Sequence, residues 1–235
     1  MRWRKALKIF SASVEEHFLI IADGQTDFAD AEQLRALRAG RVLIALDGAA
    51  NFLRGKDIAP DLAIGDFDSI SRGTRAFLEE RGTEFLFCAD QNTTDLEKAL
   101  IYLGEKGCAS VRVLHGLGGR LDHALGNVTF LKKYAKVVPN LSLTTERGQI
   151  FYWEDAHIAL CAPAGAHCGF FGFPLAHISA DGLRYGMDRY RVELGVSESV
   201  ANSFLGGEAH LTIAGWGLAA MDRSVQLIGQ RKIGE

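Results

Sequence analysis

The 235-residue sequence contains only four cysteines, Cys88, Cys108, Cys161 and Cys168, and no Cys-x-x-Cys pair. A disulfide framework is therefore not expected in a chain of this size, and reduced thiols in a cytoplasmic compartment are. His157, Cys161, His167 and Cys168 lie close in sequence but follow no standard zinc-ligand spacing, and core packing explains them. No apolar run approaches the length needed to cross a bilayer, so no membrane partner is expected. The start carries Arg2, Arg4, Lys5 and Lys8, but Ser11 to His17 is polar and Asp23 interrupts the run from Phe18 to Ala22. It reads as a short surface helix or frayed start, with an organelle transit peptide as the alternative, and not as a secretory signal. The formal net charge of -3 leaves no broad basic field, which argues against nucleic-acid binding. Also missing are Gly-x-x-x-x-Gly-Lys-Ser/Thr, the dinucleotide fingerprint and the protein-kinase motifs. Any phosphate chemistry has to rest on local sites of another design.

What the sequence does contain is alternation. Short apolar runs at Phe18–Ala22, Arg41–Leu46, Leu62–Ile64, Glu84–Cys88, Val111–His115 and Leu141–Thr145 have strand character. Between them Asp30–Ala39, Ala49–Arg54, Thr74–Arg81, Asp95–Lys106 and Leu121–Tyr134 have helical periodicity, with Gly40, Gly55, Gly82 and Gly107 as C-caps. Such alternation predicts crossover connections and a mostly parallel, Rossmann-like sheet with helices on both faces. After about Val138 the helical period fades. Short runs at Gln149–Trp153, His157–Cys161, Cys168–Phe173, Leu175–Ser179, Arg189–Leu194, Ala209–Ala214 and Gly217–Met221 predict a small all-β sandwich. The expected layout is an extension over 1–17, a catalytic α/β domain over 18–145 and a β-sandwich domain over 146–235.

The polar residues gather at the ends of the predicted strands. Asp47 follows the second, Asp66 and Asp68 the third, Asp90 to Asp95 the fourth, and Gly116 to Asp122 the fifth. Ligands of parallel sheets bind at that carboxyl edge. Asp66 and Asp68 by themselves read as a solvated turn, because Asp and Gly are common in turns. Close carboxylates repel unless they stand in open water or around a cation, and a hard divalent ion takes one or two of them plus water and phosphate oxygens. Four clusters on one edge favour the cation. Thr94 and Glu97 form a capping-box pattern, which leaves Asp95 as a third metal-ligand candidate near a helix start. Glycines at 116, 118 and 119 let the backbone approach a phosphate, and Arg120 can fork onto its oxygens. Asp47 reads either as an N-cap or as a holder of a substrate hydroxyl or of the ion's water shell. Together these residues point to Mg²⁺-dependent phosphoryl or pyrophosphoryl transfer.

The ordered segments Asp47-Gly48-Ala49-Ala50-Asn51, Gly65-Asp66-Phe67-Asp68-Ser69, Asp90-Gln91-Asn92-Thr93-Thr94-Asp95 with Glu97-Lys98, and Gly118-Gly119-Arg120-Leu121-Asp122-His123 with Asn127 resemble the signature of thiamine pyrophosphokinases. The resemblance implies transfer of the pyrophosphoryl group of ATP, the co-substrate, to the hydroxyl of thiamine. It also implies a homodimer with active sites at the subunit interface. By position, Asp66, Asp68 and Asp95 become metal and phosphate-site acids, and Asp47, Arg120 and Asp122 further catalytic residues of the cleft. Asn51, Gln91, Thr94, Lys98, Gly118, Gly119, Arg120, His123 and Asn127 become nucleotide contacts. In the second domain Ser197 to Phe204 resembles the family's Ser-x-Ser-Asn turn, with Ala201 where a serine is usual, which makes Ser199 and Asn202 substrate contacts. Trp216 is read either as a stacking partner for the thiazolium or as sandwich core. Transfer to a pterin-like hydroxymethyl heterocycle, or binding without catalysis, are the other readings.

Overall fold

A computed structural model describes residues 17–24, 29–108 and 110–234, so the basic segment with Arg2, Arg4, Lys5 and Lys8 lies outside the described residues. The chain divides into two compact units, Met1–Leu143 and Thr144–Glu235.

The first unit lays β1 (His17–Ile21), β2 (Arg41–Leu46), β3 (Leu62–Gly65) and β4 (Glu84–Phe87) side by side in parallel register. The chain then returns to the other side of β1 with β5 (Ser110–Leu114), also parallel, and β6 (Asn140–Thr144) beyond it. Ile20 on β1 is thereby flanked by Ile44 on β2 and Val113 on β5. These strands read as unbroken aliphatic runs because helices cover a parallel sheet on both faces, so neither alternate set of side chains meets water. The connecting helices are α1 (Ala31–Arg38), α2 (Ala49–Gly55), α3 (Arg72–Glu80), α4 (Asp95–Glu105) and α5 (Leu121–Lys133). Leu34 of α1, Leu53 of α2 and Leu78 of α3 pack with Leu19, Leu43 and Leu114 into one core.

Helix starts follow their caps. Asp30 and Gln33 form a capping box on α1, Thr94 and Glu97 another on α4. Helix α3 begins two residues before the expected Thr74, because the Ser71 hydroxyl accepts the Thr74 N–H and so fixes the first turn. Gly55 is the last residue of α2 and not its C-cap; the left-handed position falls on Asp57, at φ 52°. At the opposite, amino edge Asp61 accepts the Leu43 N–H at 2.8 Å and the Arg38 guanidinium at 2.7 Å, which pins β3 to β2 and α1.

In the second unit the expected short runs turn out to be pieces of longer antiparallel strands. Gln149–Trp153 and His157–Cys161 belong to β7 (Gly148–Ala162), Cys168–Phe173 and Leu175–Ser179 to β8 (His167–Asp181). Two elements absent from the sequence reading follow, β9 (Met187–Glu193, expected as Arg189–Leu194) being succeeded by β10 (Ser199–Ser203) and, later, β12 (Gln226–Lys232). Between these two lies β11 (Gly207–Asp222), which joins Ala209–Ala214 to Gly217–Met221 and pairs with both β7 and β8. The apparent breaks are bends: Asp155 lies at φ 43°, Gly215 at φ 94°, and the Asp155 carboxylate accepts the Gly215 N–H at 2.7 Å. A bulge stapled in this way turns the strand without ending it.

Phe170, Ile178, Leu160, Leu211 and Phe204 fill the core of this unit. His157 meets Thr212 Oγ1, and all four cysteines are free thiols. Among the described residues no helix is long and apolar enough to cross a membrane.

Candidate active site

A cavity of about 360 Å³ opens at the carboxyl edge of the first unit's sheet. Its wall includes Asp47, Asp66, Asp68, Gln91, Thr94, Asp95, Lys98, Gly118, Gly119, Arg120, His123 and Asn127. A larger cavity of about 620 Å³ lies at the amino edge among Arg35, Arg38, Arg41 and Arg81. There Asp61 holds Arg38, Asp57 holds Arg81 and the Leu37 carbonyl holds Arg41, so this arginine cluster is spent on structure.

Asp47 occupies the turn from β2 into α2 at φ 33°, with its N–H donated to the Ile64 carbonyl of β3. It is 7% exposed, and its Oδ1 has no hydrogen-bond partner. Burial pushes its carboxyl up to about 6; the charges of Asp95, Asp68 and Asp66 add to this, while a contact with Ser69 opposes it. Gly65, at φ 155°, ends β3 beside it, and a Cβ there would stand 2.9 Å from the Asp47 Cβ. Only glycine lets the two strand ends approach this closely.

The chain then turns so that Phe67, at φ 63°, packs edge-on against Phe85 of β4. Asp66 and Asp68, on either side of it, face the cavity. Gln91 donates to Asp66 Oδ2 at 2.9 Å, which holds that carboxyl below its usual range, and the Asp68 N–H donates to Asp66 Oδ1 at 3.3 Å. Ser69 donates to Asp68 Oδ1 at 2.8 Å. One oxygen from each of Asp47, Asp66 and Asp68 lies within 4.8 Å of the others. An all-carboxylate set with one buried, unpartnered oxygen has the chemistry of a hard divalent cation site.

Asp95 stands outside that trio. It begins α4 and accepts the Lys98 ammonium at 2.8 Å, with Lys98 only 5% exposed. Burial works against the charge on Lys98, but the Asp95 carboxylate outweighs it and raises the amine above its ordinary range. The carboxylates that converge are thus Asp47, Asp66 and Asp68, while Asp95, expected as a third metal ligand, lies on the same wall with Oδ1 on Lys98. The reason is local: Lys98 lies one turn along α4 and takes up the Asp95 oxygen.

Several expected nucleotide contacts also hydrogen-bond within the chain. Asn51 donates to the Ser69 carbonyl at 2.8 Å and accepts the Ser71 N–H at 3.1 Å, so its amide braces the metal loop and stands outside the cavity wall. Asn127 donates to the Gly116 carbonyl at 2.7 Å and holds the glycine-rich turn from beneath. Thr94 accepts the Glu97 N–H as the α4 cap. Asp122 lies off the wall and pairs with Arg120 at 2.5 Å; this hydrogen bond holds its carboxyl down at about 2. In the second unit Ser199 pairs with Phe170 along β10 and β8. Asn202 is 1% exposed, and its amide is used on the Tyr185 carbonyl and on the N–H groups of Tyr185 and Ser203. The amide oxygen and one of its two N–H groups thus brace the turn. Trp216 is 40% exposed and donates from Nε1 to Glu154 at 2.8 Å.

The sequence reading missed Asp23, Gly24 and His115, all on the cavity wall. Asp23 and Gly24 follow β1, and the strand-end rule applied to β2, β3, β4 and β5 would have found them. Burial, then the Asp95 charge, raises the Asp23 carboxyl. Against five aspartates the cavity wall sets Lys98 and Arg120, an imbalance that a bound cation relieves.

Residues 34–143 match a family profile described as "Thiamin pyrophosphokinase, catalytic domain". Thiamine pyrophosphokinase 1 of Oryza sativa subsp. japonica is 28% identical over 194 residues, which span 74% of this chain and 72% of that protein. The Bacillus subtilis (strain 168) thiamine pyrophosphokinase is 25% identical over 185 residues, 77% of this chain and 86% of that one. A crystal structure of thiamine pyrophosphokinase from Bacillus subtilis superposes with a TM-score of 0.78 at 22% identity, covering 88% of this chain and 99% of that chain, which establishes a shared fold. The matched profile and these relatives all carry the thiamine pyrophosphokinase name, and the profile covers residues 34–143 of this chain.

Proposed function

We propose that this chain transfers the pyrophosphoryl group of ATP to the hydroxyl of thiamine, giving thiamine diphosphate and AMP. The observation that carries this reading is the trio Asp47, Asp66 and Asp68 at the carboxyl edge of a parallel sheet, within the matched catalytic segment. The thiamine hydroxyl oxygen attacks the β-phosphorus, the bond from that phosphorus to the oxygen shared with the α-phosphate breaks, AMP leaves with that oxygen, and the hydroxyl proton passes to solvent. Asp47, Asp66 and Asp68 would hold Mg²⁺, which when bound neutralises charge on the phosphate oxygens. Gln91 fixes the rotamer of Asp66, and Asn51 fixes the loop that carries Asp68. Lys98, kept charged by Asp95, places a buried cation beside the transferred group. The glycine-rich turn offers backbone amides to the nucleotide.

The first unit is read as a Rossmann-like layer and the second as a sandwich folded from the bent strands β7, β8 and β11. We place the enzyme in the cytoplasm as a homodimer. Leu194, Val196, Val200 and Leu205 support the dimer, because they leave large apolar side chains exposed on the second unit.

The test is incubation with ATP, Mg²⁺ and thiamine followed by separation of the nucleotides. Thiamine-dependent AMP is the expected product. ADP in its place, faster turnover of a pterin-like hydroxymethyl acceptor, or binding without turnover would each replace this reading.

A further inference from the structure

The strand order turns at β1: the chain lays β2, β3 and β4 to one side of it and returns to the other side with β5. In open α/β sheets the crevice at such a switch point is where ligands enter. Asp23 stands there, two residues past β1. Gly24 anchors it, because a Cβ at 24 would fall 1.9 Å from the His115 carbonyl oxygen and 3.2 Å from the Gly118 backbone. The Asp23 carboxylate lies across Gly48, with Oδ2 at 2.5 Å from where a side chain would begin. It is therefore held between the glycine-rich turn of β5 and the metal-side turn of β2. Among the described residues its side chain has no hydrogen bond or ion pair, and it is not one of the trio whose oxygens converge.

An acid in this position, close to Asp95, disfavours a phosphate and accepts hydrogen bonds from a donor. In-line transfer places the acceptor and the departing AMP on opposite sides of the β-phosphorus. With the phosphates at the trio on the ends of β2 and β3, the crevice between β1 and β5 takes the nucleoside half. Two carboxylate oxygens match the two vicinal hydroxyls of a ribose, the pairing that acids at other nucleotide sites make. We infer that Asp23 accepts hydrogen bonds from the ribose hydroxyls of the nucleotide and sets a preference for ribonucleotides. This rests on the proposed reaction.

The test compares ATP, 2′-deoxy-ATP and 3′-deoxy-ATP as pyrophosphoryl donors, with Mg²⁺ and thiamine, for the unaltered chain, Asp23→Asn and Asp23→Ala. The unaltered chain should favour ATP by about tenfold in kcat/KM, since a site built to accept a hydroxyl is left with an unpaired group when it is missing. Asp23→Ala should raise KM for ATP by about that factor, leave kcat within about twofold and bring the three donors level; Asp23→Asn, which keeps one acceptor, should fall between. An unchanged preference in Asp23→Ala overturns the assignment. So does an equal fall in kcat for all three donors, or a shift confined to KM for thiamine. If the unaltered chain makes no AMP at all, the proposed reaction fails on its own. Calorimetric binding of ATP and 2′-deoxy-ATP to the same three proteins then decides the role of Asp23 by the same pattern.

Discussion

Asp47→Asn should move stability and activity in opposite directions. In the metal-free protein the Asp47 carboxylate is charged, nearly buried and surrounded by other aspartates, so folding works against it. Its carboxyl rises from 3.8 to about 6, about two units, and at 1.36 kcal/mol per unit this corresponds to about 3 kcal/mol of destabilisation above that pH. Water reaching the cavity reduces the figure, and a gain of about 2 kcal/mol is expected when asparagine removes the charge. Asparagine also tolerates the positive φ at this position. The folded carboxyl lies above its unfolded value, so the penalty is absent below about pH 4, develops as pH rises towards 6 and is complete at neutral pH. In a thermal melt with chelator near neutral pH the variant should unfold about 4–8 °C higher. In the same melt below about pH 4 the two proteins should coincide. Added Mg²⁺ should then stabilise the unaltered protein more than the variant, and turnover of the variant should fall by about 100-fold or more. A variant no more stable than its parent at neutral pH in chelator, or a gain of equal size in acid, would refute the reasoning.

Asp68→Asn should lower turnover by orders of magnitude and leave the circular dichroism spectrum intact, because Asp68 is an exposed member of the trio and packs against no core; an unchanged rate removes it from the metal set. Glu97→Gln should destabilise the first unit by about 1–3 kcal/mol in chemical denaturation, since Glu97 accepts bonds from Lys133, Tyr134 and the Thr94 N–H. Burial raises the Glu97 carboxyl, yet these bonds outweigh it and hold it below its ordinary value of 4.5. The stabilisation should therefore be full at neutral pH and vanish as pH falls below about 4, so that parent and variant converge in acid. Asn202→Ala should cost about 1–3 kcal/mol in the second unit by stranding the backbone groups at Tyr185 and Ser203. A change in KM for thiamine with no loss of stability would return Asn202 to the substrate.

The first unit was legible because its signals are local. A parallel strand buried on both faces is an unbroken aliphatic run, and a capping box such as Thr94 with Glu97 states where a helix begins. The second unit was less legible because a bend resembles an end: Asp155 and Gly215 read as turn residues, yet their mutual hydrogen bond carries both strands through. β10 and β12 escaped notice for another reason. Only Asn202 is buried on β10 and no residue is buried on β12, so neither shows the apolar pattern of a core strand. Within the site, residue types were readable but their partners were not. Nothing along the chain distinguishes an Asp95 that meets a cation from one that meets Lys98, or an Asn51 that touches nucleotide from one that braces a loop. Those assignments depend on which groups are already satisfied, and that is a property of the packed structure.

The close approach of β3 to β2 at Gly65 has a consequence for how the three carboxylates converge. Leu46 pairs with Ile64, so Asp47 and Gly65 are the next residues along two neighbouring strands, and their backbones fix where the trio's donors begin. Neighbouring strands stand about 4.8 Å apart, a spacing set by the hydrogen bonds of the sheet and not by side-chain rotamers. The sheet thus acts as a gauge: it sets where the Asp47 carboxylate leaves the backbone relative to the loop that carries Asp66 and Asp68. A methyl group at position 65 would press directly on Asp47 and widen that gauge without replacing a single acid. A chain could keep all three aspartates and still lose their convergence.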